Sequence, residues 1–123
     1  MNQLQLMQFR NRAIQYLDFS SRKRNVINLN IHNSFQHEKL KFEICYDLKK
    51  NGKEFVSEAK FGSKGHSSTY GIADIFVLDT ATIIEVLVSE SIESLQWKIR
   101  KYPKLPVIAV KCWEDYLNEN CNR

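Results

Sequence analysis

Two acids stand where apolar side chains are the rule. The stretch Gly71-Ile-Ala-Asp-Ile-Phe-Val-Leu-Asp-Thr-Ala-Thr-Ile-Ile-Glu-Val-Leu-Val-Ser-Glu-Ser91 reads as two apolar strands in a tight hairpin, with Asp74 on one and Glu85 on the other. A carboxylate inside a buried strand is costly unless something pairs with it. A divalent cation such as Mg²⁺ or Mn²⁺ favours two such acids together and commonly takes its other ligands from phosphate oxygens. Such an ion can activate water and neutralise charge on a phosphodiester during hydrolysis. Without an ion, two acids this close repel and one is forced neutral. The plainer reading has Asp74 capping the strand and Glu85 in solvent on an exposed sheet face.

Hairpin register decides between these readings. With Asp79-Thr80 as the turn, Asp74 lies directly opposite Glu85; with Thr80-Ala81, it lies opposite Leu87 and diagonal to Glu85. Both bring the carboxylates to one face, whereas a one-residue slip sends them to opposite faces.

The elements that must position this hairpin follow from periodicity. Residues 3–18 have a helical period, with Leu4, Met7, Ile14 and Leu17 near one face. Residues 18–34 form a polar connector. A helix is predicted over 35–50, with Leu40, Ile44 and Leu48 as its apolar stripe and Asn51-Gly52 as its stop. Residues 54–61 alternate as a strand, with Phe55, Ser57, Ala59 and Phe61 facing one way. The run 62–71 is a glycine-rich loop. Strands over about 73–79 and 82–88 precede a helix from Glu90 to Tyr102 with Ser89 as its N-cap. A short apolar strand, fully buried, is expected over 105–111, and a last helix over 113–120. The order implies an α/β fold: a mixed four-stranded sheet flanked by helices, α-β-β-β-α-β, with an extra N-terminal helix. Residues 1–34 are the basic helix and connector, and 35–123 the α/β core of one domain.

Composition sets the outer limits. With 123 residues, 43% hydrophobic and 26% charged, the chain is a single globular domain rather than a disordered one. No apolar run approaches the ~20 residues of a membrane span, and the N-terminus lacks the apolar centre of a signal peptide, so an intracellular, cytoplasmic location is expected. Cys45, Cys112 and Cys121 have no C-x-x-C spacing and read as free thiols. The net charge is +4. Residues 1–24 account for all of it, with Arg10, Arg12, Arg22, Lys23 and Arg24 against Asp18. Concentrated positive charge favours nucleic acid. In a nucleic-acid enzyme the 62–71 loop could close over its substrate, with Lys64 and His66 toward phosphates and Tyr70 against a sugar or base; the alternative is an ordinary exposed loop. Lys98, Arg100, Lys101 and Lys104 form a second basic cluster, which helix-dipole compensation largely explains. Trp97 and Trp113 read as packing residues rather than stacking platforms.

The helix, the strand, Ala73-Asp74-Ile75, then Ile84-Glu85-Val86-Leu87, a helix and an apolar strand together resemble the PD-(D/E)XK nuclease superfamily over residues 37–111. That superfamily includes restriction endonucleases and archaeal Holliday-junction resolvases. More narrowly, His37-Glu38, Phe42-Glu43-Ile44 and Glu85-Val-Leu-Val-Ser-Glu-Ser91 are similar to small nuclease-like proteins of archaea and their viruses. The resemblance implies a restriction-endonuclease-like core and a metal-dependent DNA endonuclease. Asp74 and Glu85 would bind Mg²⁺ or Mn²⁺, with Glu38 (or Glu43) as a third acid from the first core helix. DNA is the implied partner, and a homodimer is expected because so short a chain covers little duplex. The motif lysine should fall at position 87, where this chain has Leu87. Lys60 on the adjacent strand is the first candidate to replace it and Lys98 the second. His37 is not expected to join a metal site with Glu38, because neighbours on a helix point apart. Two other readings stay open: a degenerate nuclease fold that binds nucleic acid or a partner without cutting, and a structural or assembly protein of a virus or mobile element.

Overall fold

The computed structural model describes residues 1–62 and 71–121. Four strands, β1 Phe55–Lys60, β2 Ile72–Val77, β3 Thr82–Val86 and β4 Val107–Val110, form one sheet in the order β1-β2-β3-β4. The first three pair antiparallel and β4 joins β3 in parallel. The helices are α1 Gln3–Ala13, α2 Phe35–Lys50, α3 Ile92–Ile99 and α4 Trp113–Cys121. The α/β class and the mixed four-stranded sheet are therefore as the sequence predicts, with α3 as the crossover that parallel pairing demands. Among the described residues, no helix is long and apolar enough to cross a membrane.

The core is split by the sheet. One side buries Ala13 at the end of α1, and Ile14 and Leu17 after it, against Val56, Phe61, Phe76, Ile83 and Tyr102. The other packs Leu40, Ile44, Cys45 and Leu48 of α2 against Phe55, Ile75, Val77, Ile84 and Val110. The N-terminal segment thus completes one core layer. Its predicted stripe holds only at the C-terminal end: Ile14 and Leu17 are buried, whereas Leu4 and Met7 are exposed.

Caps fix the helix boundaries. Ser34 Oγ accepts the His37 N–H at 3.1 Å to start α2, and Gly52, at φ +74°, takes the left-handed position after it. For α3 the cap is Ser91, whose Oγ accepts the Ser94 N–H at 3.1 Å, so the helix starts later than the Ser89 cap implies. It also ends at Ile99, three residues before Tyr102.

Two further expectations change, and the connector between them gains a structural role. Strand β4 is an edge strand, with Ala109 exposed and Val107 and Ile108 half-buried, rather than a fully buried one. The connector does not hang free: the Asn25 N–H donates to Phe55 O (2.8 Å), and Ser57 Oγ donates to Val26 O (2.6 Å) and accepts from the Asn28 N–H (2.8 Å). This lines the outer edge of β1 and removes it as a template for further pairing. Finally, β1 does not keep one face throughout. Phe55 packs on the α2 side, but Ala59 and Phe61 pack on the α1 side. The change of side falls at Glu58, a non-glycine residue at φ +48°. Register stays unbroken across it (Ser57↔Ile75, Ala59↔Ala73), so β2 turns with β1 and Asp74, opposite Glu58, is re-aimed toward α2. Such devices recur beside active sites.

Candidate active site

The hairpin has the register that opposes the two acids. Ile75↔Ile84, Phe76↔Ile83 and Val77↔Thr82 are paired, and one step further Asp74 faces Glu85. The ladder stops there because the Asp74 carboxylate accepts the Val86 N–H at 2.8 Å through Oδ2. Asp74 and Glu85 are in hydrogen-bonding contact, and both are almost entirely buried.

Each acid is held from a different layer. On the α2 side, His37 Nε2 approaches Asp74 Oδ2 to 3.3 Å. The approach is off the line of a hydrogen bond, so Nε2 is buried without a hydrogen-bond partner and the contact is one of charge. Its Nδ1 lies 2.7 Å from Glu38 Oε2. On the α3 side, Lys98 Nζ lies 3.3 Å from Glu85 Oε2, and the Tyr102 hydroxyl donates to Glu85 Oε1 as well as sitting 3.1 Å from Ile72 O. Gly71 makes room for that tyrosine: a Cβ there would come within 2.7 Å of the Tyr102 ring.

Behind His37 lies a second cluster. Glu38 accepts from Lys41 Nζ (2.6 Å), the Asn30 N–H (2.5 Å) and Asn33 Nδ2 (3.2 Å). Lys41, with no exposed surface, also reaches Glu58 Oε1 at 3.2 Å. The left-handed Glu58 is what brings that carboxylate to the lysine.

Charge follows this geometry. Burial first, then the Asp74 charge and their shared hydrogen bond, push the Glu85 carboxyl up to about 8, against the opposing pull of Lys98 and Tyr102. Burial works against an ionised Asp74 too, but the approach of His37 and the hydrogen bonds with Glu85 and the Val86 N–H outweigh it and hold Asp74 low. Burial and mutual repulsion thus favour a proton shared by the pair, with Glu85 the member pushed up and Asp74 the member held low. Burial also disfavours the His37 imidazolium, yet Asp74 and Glu38 overcome it and raise His37 to about 9. Burial likewise opposes the charge of Glu38, which the Asn30 N–H and Lys41 nevertheless keep low.

These shifts set a pH dependence of stability. Glu85 and His37 both hold protons more tightly when folded, so their contributions are complete below their ordinary values of 4.5 and 6.5 and vanish as pH rises through about 8 and 9. Asp74 and Glu38 are held low, so theirs is lost as pH falls below their ordinary 3.8 and 4.5. Denaturation midpoints should therefore peak near pH 4.5, decline above it as Glu85 loses its contribution, and decline more steeply from about pH 6.5, where His37 joins, toward pH 9. Glu85→Gln should flatten the decline between about pH 4.5 and 6.5, where Glu85 alone among the raised groups contributes, and an unchanged slope there would mean Glu85 does not take up the proton.

Several predicted site residues lie elsewhere. Lys60 is exposed, pairs with Ile72 and acts on Asp18; the cation on Glu85 is Lys98. Leu87 is buried, 2% exposed, in the core. Glu38 does not touch the acid pair: its lone pairs are taken by its own cluster, and the helix residue against Asp74 is His37. The two neighbours also meet at 2.7 Å, contrary to the expectation that they diverge, because the Glu38 side chain folds back across the first turn. Glu43 is half-buried and has no part in the cluster. Arg10 is bound to Asp79 (2.8 and 3.1 Å), Glu54 (3.2 Å) and Gly52 O (2.9 Å). Arg24 pairs with Glu54 (2.7 Å). Arg22 donates to Leu17 O (2.9 Å) and covers the Phe19 ring. Much of the N-terminal charge therefore braces the fold, leaving Arg12 and Lys23 exposed. Lys64, His66 and Tyr70 lie outside the described residues. Trp97, expected to pack, is 67% exposed.

The signals for His37 and Lys41 were present in the sequence. His37 extends the Leu40–Ile44–Leu48 stripe by one turn and Lys41 lies within it, three before Ile44, and a polar side chain on that face needs a buried partner. Tyr102 carried none, being beyond the end of α3.

Among the described residues, no group of three or more His, Cys, Asp or Glu is disposed to hold a metal ion. Two hard carboxylate oxygens sharing one proton nonetheless suit a divalent cation, which competes for that proton. Comparison with protein-family models, with curated proteins and with solved structures returns no match.

Proposed function

We propose that the chain is a metal-dependent DNA endonuclease centred on Asp74, Glu85 and Lys98. The observation that carries this reading is a buried acid pair with a lysine ammonium 3.3 Å from one member, supplied by the following helix in place of the residue at 87. The strand and helix order supports a restriction-endonuclease-like core.

Asp74 and Glu85 would hold Mg²⁺ or Mn²⁺, which when bound supplies charge neutralisation and an activated water. The chain's own groups do the rest. Tyr102 fixes the direction of the Glu85 carboxyl. His37 holds Asp74 from the opposite layer, with Glu38 fixing its ring. Lys98 offers its ammonium to negative charge developing on the scissile phosphate.

The purified protein should cleave DNA with Mn²⁺ and stop on chelation. Lys98→Ala should reduce the rate by roughly 100-fold while leaving Mn²⁺ binding by calorimetry within about threefold, and Lys98→Arg should recover part of the loss. An unaltered rate in Lys98→Ala would remove the lysine from the reaction.

A second reading rests on a specific observation. Glu85 is already bonded to Lys98 and Tyr102, and Asp74 to Val86 and His37, so the pair is compensated as it stands. A protein that binds DNA but cleaves none of its forms with Mn²⁺ would favour a non-cutting relative of the nucleases.

A further inference from the structure

Helix α3 carries the active-site lysine on one face and an unusual exposed pair on the next. Trp97, adjacent to Lys98 in sequence, is 67% exposed, and the Arg100 guanidinium lies over its ring, 5.0 Å from the centroid. Lys101 and Lys104 follow, both exposed. A solvent-exposed indole gains by being covered, and the positive charge around it selects a negative partner. A second pair of the same chemistry, Arg22 4.1 Å from the ring centroid of exposed Phe19, sits in the turn that Ser21 ties to β1 at Lys60. That is the end of the sheet where Ile72 O meets Tyr102.

We propose that Trp97 and Arg100 form a landing place for an unpaired nucleotide, so that the substrate of the neighbouring acid pair is single-stranded nucleic acid: an end, a flap or a loop. This rests on the nuclease reading above. A nucleotide presents a flat base beside an anionic phosphate, which matches a flat indole beside a guanidinium. In a duplex the base faces are already stacked on one another, so only an unpaired base offers its face. The other side chains needed are in place: Lys98 reaches from the same helix into the acid pair, and Lys101 lies one turn beyond Trp97. Glu93, one turn before Trp97, is exposed, and with Glu90, which acts on Lys98, it disfavours a strand on that side and favours the Arg100 side.

The test is intrinsic fluorescence of the full chain titrated with an oligothymidylate and with a duplex of equal length, in chelator so that nothing is cut. Trp113, half-buried against Tyr116 at 5.2 Å between rings, is the constant background, and Trp113→Phe isolates Trp97. The single strand should quench Trp97. Trp97→Leu should weaken single-strand binding about 10-fold or more and duplex binding little, Trp97→Phe should retain most of the affinity, and Arg100→Ala should lower the salt slope by about 0.7. Equal loss on both DNAs, or no loss, would overturn the proposal. So would a dimer in sedimentation that Trp97→Leu disrupts, which would assign this face to a second copy. Mn²⁺-dependent cleavage is read separately: if it persists while stacking fails, only the substrate inference falls, and if stacking holds without cleavage, it is the nuclease reading that falls.

Discussion

Replacing Lys41 by methionine should destabilise the fold by about 3–5 kcal/mol, the usual result of removing one partner of a buried ion pair. The lysine has no exposed surface and lies between Glu38 at 2.6 Å and Glu58 at 3.2 Å. Methionine fills much the same volume, so little of the loss comes from packing. It comes from Glu38, left buried beside His37 with one donor fewer. Glu58 is partly exposed and recovers some hydration. Against a total stability of roughly 5–15 kcal/mol for a domain, such a loss is visible as a large fall in the urea midpoint. Pairing the change with Glu38→Gln should return at least ~1 kcal/mol, because the stranded charge is then gone. A Lys41→Met stability within ~0.5 kcal/mol of the parent, the range of an ordinary surface change, would show that the ammonium reaches water and that the cluster is not closed.

Asp74→Asn and Glu85→Gln should each lower Mn²⁺-dependent DNA cleavage by roughly 10³-fold or more, and the double variant should be little worse than either alone. Groups acting as one unit lose nearly everything when any member is lost. Both substitutions preserve shape. The carbonyl oxygen of the asparagine amide can still accept the Val86 N–H, and that of the glutamine amide can still accept from Tyr102. The fold should therefore survive, and Glu85→Gln should be at least as stable as the parent above about pH 8, where the parent must ionise a buried acid. Loss of cleavage with retained cooperative unfolding and lost Mn²⁺ heat places the acids in the chemistry. Cleavage that persists in both variants removes them from it.

The sequence held most of the architecture. Strong local signals carried it: the 2.0 and 3.6 periods, Asn51-Gly52 after α2, and a hairpin whose acids settle in one of the two registers that join them. What it did not hold was any feature decided by distant contacts. The face of β1 is one: alternation predicts Phe55 and Ala59 together, and only the left-handed backbone at Glu58 parts them. Lys60 and Lys98 are another. By strand adjacency Lys60 is the nearer cation, yet the crossover helix lays Lys98 against Glu85. The N-terminal arginines are the third. Their density reads as a polyanion surface, while Arg10 and Arg24 are committed to Asp79 and Glu54, acids 30 or more residues away in the chain. Composition records how much charge there is and says nothing of what already neutralises it.

The acid pair belongs to neither side of the sheet. Asp74 is clasped by α2 and Glu85 by α3 with the turn after it, so the two come under full control only once both layers have docked. A chain with either layer loose would carry two separate carboxyl groups, neither correctly aimed nor correctly protonated. The centre thereby reports on completed assembly: if the proposed nuclease activity holds, a half-made or locally opened molecule would have no competent chemistry to release on nucleic acid.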